Sequence, residues 1–455
     1  MAKQNTYDVV IVGAGPAGAM CARACAGAGL RTLVLEARSP ARHGWTLPVE
    51  LERSLFSECG VPEPSGDEIA FHARGVKTFA PSGKLAFEVA QDPAFPVKQD
   101  VLTRRLVGYA KQAGAEVRYG VRVEAPLLDG ARLSGVRVQK AGGESQDIAA
   151  RIVVDASGHA AALIRQLPAE CGIDFADLPG DQVIAEARLC RIERRATERA
   201  AKEGRFVPEY THFRLGTQGT YSTLGFMVSL EQDRAFLLSG FKADHAPPTP
   251  GQVLDELTAE LGCLTEIFHS GAGKIRICRA SSRFVCDGFA AVGEAANMVV
   301  PMGASGVGSG MLAGDALGQR IGKILQHDGA ATTKSLWPWC AWYQRGRGAI
   351  LASYDATRRM MEKLDPKRDI EKMASSGLMT AEDLELTFSV QPVRPSLTTI
   401  RSRLVGALRQ PALAAKIAPG LLHAAQVEAY WRHFPQHWNP DAFATWKETA
   451  GRLLP

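Results

Sequence analysis

The stretch YDVVIVGAGPAGAMCARACAGAGLRTLVLEA, residues 7–37, decides how this chain is read. Val9 to Val12 is a continuous apolar run, the pattern of a strand buried on both faces of a parallel sheet. Gly13-Ala14-Gly15-Pro16-Ala17-Gly18 then turns the strand into a helix. Gly13 makes the tight turn, Gly15 lets backbone approach a pyrophosphate, and Gly18 lets the helix pack on the strand, so the anion rests on the helix N-terminus. A second apolar run, Thr32 to Leu35, ends at Glu36, about twenty residues beyond Gly15, where a carboxylate would accept hydrogen bonds from an adenosine ribose. Glycines in this spacing are a weak sign alone. Strand, glycines, helix, strand and closing glutamate in order point to a bound adenine dinucleotide, and a glutamate rather than arginines argues against a 2′-phosphate.

Composition narrows the class. The chain has 455 residues, 46% of them hydrophobic and 22% charged, with a formal net charge of +5. That balance suits a globular protein of two joined domains plus an appendage, and the basic excess is too small for a nucleic-acid footprint. The polar start of the chain predicts no secretory leader, no apolar run reaches the length of a membrane span, and a cytoplasmic protein is expected. Nine cysteines without a CxxC pair suggest neither a disulfide framework nor a metal site.

Which dinucleotide is bound depends on the later segments. Val101 to Ala125 reads as an amphipathic helix, a stop at Gly114 and a strand, and Ile152 to Val154 form another buried strand ending at Asp155. Between Gly288 and Leu325 the pattern of strand, glycine loop and helix recurs, with the loop entering the helix at Gly306 to Met311. Bare N–H groups there would face an anionic ring or phosphate. At these residues the chain resembles the flavoprotein group of geranylgeranyl reductases, para-hydroxybenzoate hydroxylase-like monooxygenases and flavin-dependent halogenases. The resemblance implies an α/β fold: a Rossmann-like FAD-binding domain, an inserted antiparallel β-sheet substrate domain and a helical C-terminal region. It implies FAD held by Gly13, Gly15, Pro16, Ala17, Gly18, Glu36, Ala37, Arg38, Gln99, Val123, Asp155, Gly158, Gly293, Glu294, Pro301, Gly303, Gly306 and Val307, with NAD(P)H as a transient electron donor and no metal. Two positions depart from the group: Glu294 replaces the usual aspartate of its GDAA element, and Gln99 stands where many relatives carry arginine.

The expected boundaries are FAD-binding segments 1–70, 96–181 and 275–345, substrate-domain segments 71–95 and 182–274, and a helical region 346–455. Within the second segment, alternating apolar and polar residues between turn signals predict antiparallel strands with one covered face. After Leu325 the chain reads as helices broken at Pro338, Pro366, Pro392, Pro395, Pro411 and Pro419. The stretch 394–426 alternates basic residues with leucines and alanines. A capping helix pair with its charges in water is preferred there over a helix lying on an anionic bilayer.

The expected activity is FAD-dependent oxidoreduction of a hydrophobic or aromatic small molecule, with hydride passing from reduced flavin to a double bond. The alternatives are a hydroxylase working through a C4a-hydroperoxide and a non-catalytic electron relay served by a partner protein. Halogenation is disfavoured. Trp337-Pro338-Trp339-Cys340-Ala341-Trp342 follows the flavin loop instead of preceding it and reads as helix packing, and Lys77 reads as a solvated strand lysine. Where geranylgeranyl reductases carry a cysteine-glycine pair and an aromatic YxWxFP stretch, this chain has RHGWTLPVELERSLFSECG and GTYSTLGFMV. The catalytic candidates are His43 as a proton donor, Trp45 as a stacking surface, Glu50 as a carboxylate and Tyr221 from the roof of the pocket. Each also has an ordinary structural reading, as a loop contact, a helix-end carboxylate or a packed strand aromatic.

Overall fold

The computed structural model describes residues 6–454 except 91, 93, 140–142, 176, 178, 217–221, 245, 247, 328 and 393. The chain opens with β1 (Thr6–Val12), α1 (Pro16–Gly27) and β2 (Thr32–Glu36), then β3 (Pro48–Glu52), α2 (Arg53–Glu58), β4 (Gly75–Phe79), β5 (Ala86–Val89) and β6 (Ala94–Lys98). Next come α3 (Gln99–Gln112), β7 (Glu116–Tyr119), β8 (Arg122–Asp129), β9 (Arg132–Gln139), β10 (Ser145–Asp155), β11 (Gln182–Ile192), α4 (Arg194–Lys202) and β12 (Tyr210–Arg214). They are followed by β13 (Ser222–Ser229), β14 (Arg234–Lys242), α5 (Pro250–Leu261), β15 (Leu264–Arg276), β16 (Val285–Cys286), β17 (Phe289–Ala291) and α6 (Val307–Gln326). The remainder is helical: α7 (Thr333–Arg345), α8 (Arg347–Met361), α9 (Arg368–Ser376), α10 (Ala381–Phe388), α11 (Leu397–Arg409), α12 (Pro411–Arg432) and α13 (Pro440–Leu453).

The first sheet runs β16-β17-β10-β1-β2-β7, with the β8–β9 hairpin joined through β10. β1 lies between β10 and β2, parallel to both, and Val9, Val10 and Ile11 are fully buried, which accounts for the unbroken apolar run. A ligand of such a sheet binds beyond the C-terminal strand ends, where α1 leaves β1. α6 packs along α1 on a row of glycines at four-residue spacing. A methyl on Gly310 would meet Ala17, one on Gly318 would meet Cys21 and Ala24, and one on Gly322 would meet Ala28. Because both numbers rise together, the two helices are parallel, and their N-termini open on the same edge of the sheet.

The second sheet has the order β15-β11-β14-β13-β12-β4-β5. Its outer face carries Leu224, Phe226, Val228, Leu237 and Phe241 against Val253, Leu254, Leu257 and Leu261 of α5. The expectation of an antiparallel sheet needs one amendment: β4 pairs with β12 in parallel. Strands joined by hairpins are forced antiparallel, whereas β4 arrives from a separate segment and is free of that constraint.

Two proline breaks are also corrected. Pro338 lies inside α7 and Pro419 inside α12. Each costs a backbone hydrogen bond, and tertiary packing holds the helix through it. Trp337 and Trp339 are buried beside Pro338, with Trp337 stacked on Phe434 at 5.1 Å, and Gly420 lets α12 press on Met360 of α8. The tryptophan cluster is therefore helix packing, and Lys77 pairs with Glu88 at 3.3 Å. All nine cysteines are buried and free.

Candidate functional site: a cleft between two helix N-termini

The cleft begins at the end of β1. Gly13 adopts φ +103°, donates its N–H to the Leu35 carbonyl at 2.8 Å, and faces the Ala156 carbonyl so closely that a Cβ would collide with it. Only glycine fits there. Gly15 precedes α1 with no side chain capping the helix, nothing lies within 4 Å of where its Cβ would be, and Pro16 takes a position that needs no N–H. Ala17 and Gly18 press this turn against α6 and Gly13. Glu36, at the end of β2, accepts from the Ala14 N–H at 3.0 Å and the Arg38 N–H at 2.9 Å. Ala37 and Arg38 beside it are exposed.

The other wall is made by two loops tied together. Gly158 (φ +67°) and His159 follow β10, and Gly293 (φ +71°) and Glu294 follow β17. His159 Nδ1 lies 2.8 Å from Glu294 Oε1. The buried Arg276, closing β15, donates to Asn297 Oδ1 at 2.8 Å, the His159 carbonyl at 2.9 Å and the Glu294 carbonyl at 3.2 Å. Burial holds its pKa below the usual arginine value while Glu294 and Asp177 resist. Pro301 and Gly303 then lead to Gly306, which precedes α6 with no side-chain cap, and to Val307, the first residue of that helix. Glu52 fills the space over Gly308 and binds Arg347, whose Nε donates to Ser309 Oγ at 3.1 Å.

Asp155 closes β10, just before the loop that carries Gly158. Fully buried, it accepts from the Ser157 N–H and hydroxyl and from the Leu163 and Ile164 N–H groups, all at 2.6–3.0 Å. With both oxygens occupied, it shapes the loop that carries Gly158. Gln99 opens α3, and Val123, on β8, packs on the core of the first sheet.

The catalytic candidates separate in space. His43 sits beside the end of β2, its Nε2 3.7 Å from Glu36 and its ring edge-on to Tyr119 at 5.5 Å. Burial lowers its pKa, and neither ring nitrogen has a hydrogen-bond partner. Trp45 lies across Gly271 and Gly273 of β15. Glu50 shares a face of β3 with Glu52, the residue against the first turn of α6. Burial, and then the charge of Asp92, pushes its carboxyl up to about 8. Burial likewise pushes Asp92 to about 6, against the pull of the Ala94 N–H and Arg53. Tyr221 lies outside the described residues.

Above the cleft, the inner face of the second sheet is apolar and low. Gly271 pairs with Ala187, Ala187 with Leu238, Leu238 with Gly225, and Gly225 with Phe213, so these five residues line one row across five strands. Trp45 closes one end of the row, and Phe388 of α10 stacks on Phe213 at 5.2 Å at the other. Sequence reading missed Arg276, His159, Glu52, Arg347 and Asp92. The lone arginine ending a long alternating strand was the one available signal.

An elongated dinucleotide fits this architecture: open backbone N–H groups at one helix start, the Glu36 carboxylate beyond it, and a second uncapped helix start on the same edge. Among the described residues no group of His, Cys, Asp and Glu is arranged to hold a metal. The comparisons with known proteins agree with the cofactor that this fit suggests. Residues 6–335 match the family described as FAD binding domain. A digeranylgeranylglycerophospholipid reductase of Methanoculleus marisnigri is 25% identical over 355 residues, 76% of this chain and 84% of that protein. The crystal structure of a geranylgeranyl bacteriochlorophyll reductase-like protein from Thermoplasma acidophilum has the same fold, with a TM-score of 0.73 at 18% identity over 91% of this chain and 99% of that one. So does a myxobacterial chondrochloren halogenase, with a TM-score of 0.63 at 16% identity over 99% and 98%. The chain belongs to the FAD binding domain family and is an FAD-dependent oxidoreductase.

Proposed function

We propose that the protein reduces carbon–carbon double bonds of a prenyl lipid. Reduced FAD supplies the hydride, and this chain supplies the proton, the shape of the chamber and the exclusion of water. The observation that carries the reading is Glu50: on the β3 face that meets α6, with a carboxyl raised to about 8, it is protonated at neutral pH and able to donate. Saturating a double bond needs such a donor, because hydride addition to one carbon leaves the other to be protonated. Asp92 keeps the Glu50 proton in place by disfavouring a second negative charge beside it. The row from Gly271 to Phe213 offers an extended chain an uncharged bed between Trp45 and Phe388. The uncapped start of α6 at Gly306 and Val307, next to Pro301 and Gly303, would set a positive dipole toward the negative charge of reduced flavin. His43 is a positioning residue at the ribose end rather than the proton donor. NAD(P)H is the proposed source of electrons, and the domain division is taken at the boundaries read from sequence.

The test is single turnover under nitrogen. FAD-loaded protein, reduced chemically, is mixed with a geranylgeranylated glycerophospholipid and the product weighed. A gain of two hydrogens per double bond, with loss of two to four orders of magnitude in rate for Glu50→Gln, is expected. A product that gains oxygen only after air is admitted would transfer the chain to the hydroxylase reading. Reduction at an unchanged rate in Glu50→Gln would remove the proton-donor assignment.

A further inference from the structure

Helix α11 faces the wrong way for an ordinary packed helix. Leu397, Ile400, Leu404, Val405 and Leu408 lie at helical i, i+3, i+4 spacing, and all are solvent-exposed, Leu397 at 85%, Leu404 at 64% and Leu408 at 83%. Together they span roughly 140° of the helix surface. The residues that α11 buries are small, Thr399 and Gly406, with Gly406 pressed on Leu378. The sequence reading of a capping pair with only its charges in water is thus reversed for this helix: its large apolar side chains point outward.

The charge around this face is one-sided. From Leu386 to Val427 there is no aspartate or glutamate, while Arg394, Arg401, Arg403, Arg409 and Lys416 fall within that span. Arg403 is neutralised by Asp383 and Lys416 by Asp369. Arg394, Arg401 and Arg409 have no ion pair among the described residues, and Arg401 and Arg409 line a groove of about 570 Å³ beside the apolar stripe. Hydroxyls of Ser375, Thr380, Thr398 and Ser402 share its lining with apolar groups such as Met379, and it reaches Phe87 on β5, the edge strand of the second sheet. No helix among the described residues is long and apolar enough to cross a membrane.

We propose that α11 lies in the plane of an anionic phospholipid bilayer, its leucines entering the acyl boundary and Arg394, Arg401 and Arg409 meeting lipid phosphates. An exposed apolar face with one unpaired arginine within it, Arg401, and another at its margin, Arg409, suits such docking, the long Arg401 side chain reaching back to the headgroups: apolar burial supplies part of the affinity, and attraction to acidic headgroups supplies the rest. The arginine-lined groove next to the stripe then opens at headgroup depth, and its far end meets the sheet that roofs the cleft. The surface stands on residues of its own and does not depend on the prenyl-lipid reading.

The experiment is vesicle co-sedimentation of the full-length FAD-loaded protein. Phosphatidylcholine vesicles are compared with vesicles in which about a third of the lipid is phosphatidylglycerol. Binding is expected to the anionic vesicles, to weaken as salt is raised, and to be negligible on phosphatidylcholine alone. Leu404→Glu with Leu408→Glu should lower the affinity at least tenfold. Arg401→Gln with Arg409→Gln should lower it roughly 20-fold. All four positions are at the surface, so an unchanged flavin absorbance certifies the fold. A wild-type protein that stays in the supernatant with anionic vesicles at low salt overturns the proposal. So does a wild-type dimer that Leu404→Glu converts to monomer, since a second copy would then own the face. Vesicle binding without reduction of any prenyl lipid would sink the substrate reading and leave the docking surface intact.

Discussion

On the proposed reading, the cofactor half and the substrate half of the molecule recognise their ligands with different chemistry. Around α1 and α6 the work falls to backbone: Gly13 at φ +103°, bare N–H groups at two uncapped helix starts, and glycines that let the helices touch. Under the second sheet it falls to side chains brought together from five strands, a loop and α10. Backbone recognition tolerates almost no change at a position, because the added atom meets something that cannot move. Side-chain recognition tolerates more and can be retuned to another ligand, which fits a fold shared by a prenyl-reductase-like protein and a halogenase.

The sharpest way to break this contrast is Gly13→Ala. A Cβ at that position meets the Ala156 carbonyl in a left-handed backbone conformation, so the loss should reach several kcal/mol and purified protein should carry no FAD. Retention of flavin with normal stability would mean that the turn is not the rigid cradle described. Arg276→Met comes next. It removes a side chain that ties β15 to both cleft loops and takes a donor from Asn297 and from the Gly158, His159 and Glu294 carbonyls, at a cost of about 3 kcal/mol. Thermal melting with and without added FAD checks it. Because the residue joins the two halves, FAD affinity and lipid turnover should fall together, whereas an effect on turnover alone would place Arg276 in the substrate half only.

The two halves were also unequally legible. The first sheet, the glycine turns and the start of α6 at Val307 were readable because each depends on residues adjacent in sequence, with the period and glycine spacing fixed by the bound dinucleotide. The Glu50–Asp92 pair was only half legible. Glu50 stood out beside the first βαβ unit, but nothing local to Asp92 announces that β3 and β6 bring it alongside. The surroundings of His43 were hidden for the opposite reason, since nearness in sequence to Trp45 concealed a loop that turns at Gly44 (φ +92°) and sends the imidazole back to Glu36. The parallel entry of β4 and the continuity of α7 and α12 through proline rest on packing between distant segments, which local rules cannot register.

Glu50 also tests the comparison through pH. Its carboxyl is raised from an ordinary glutamate value to about 8, so the folded protein holds a proton that the unfolded chain has released between those limits. Its contribution to stability is therefore greatest in acid and declines as pH rises from about 4.5 to 8, on the order of 5 kcal/mol in total. Urea midpoints across that range should slope downward for the native sequence and flatten in Glu50→Gln. If the two slopes coincide, Glu50 is solvated and the substrate half has lost its proton donor.

The smallest expected effect falls at Glu36. Its two oxygens already accept from the Ala14 and Arg38 N–H groups and so fix the turn; the role proposed for it besides is to receive the ribose. Glu36→Gln keeps one acceptor oxygen and the side-chain length, and should weaken FAD about tenfold in titrations of apoprotein, with turnover at saturating FAD unchanged. His43→Ala should behave in the same way, because the imidazole touches Glu36 rather than the chamber. A fall in saturated turnover for His43→Ala, with FAD affinity intact, would return the imidazole to the chemistry and blur the boundary between the two halves.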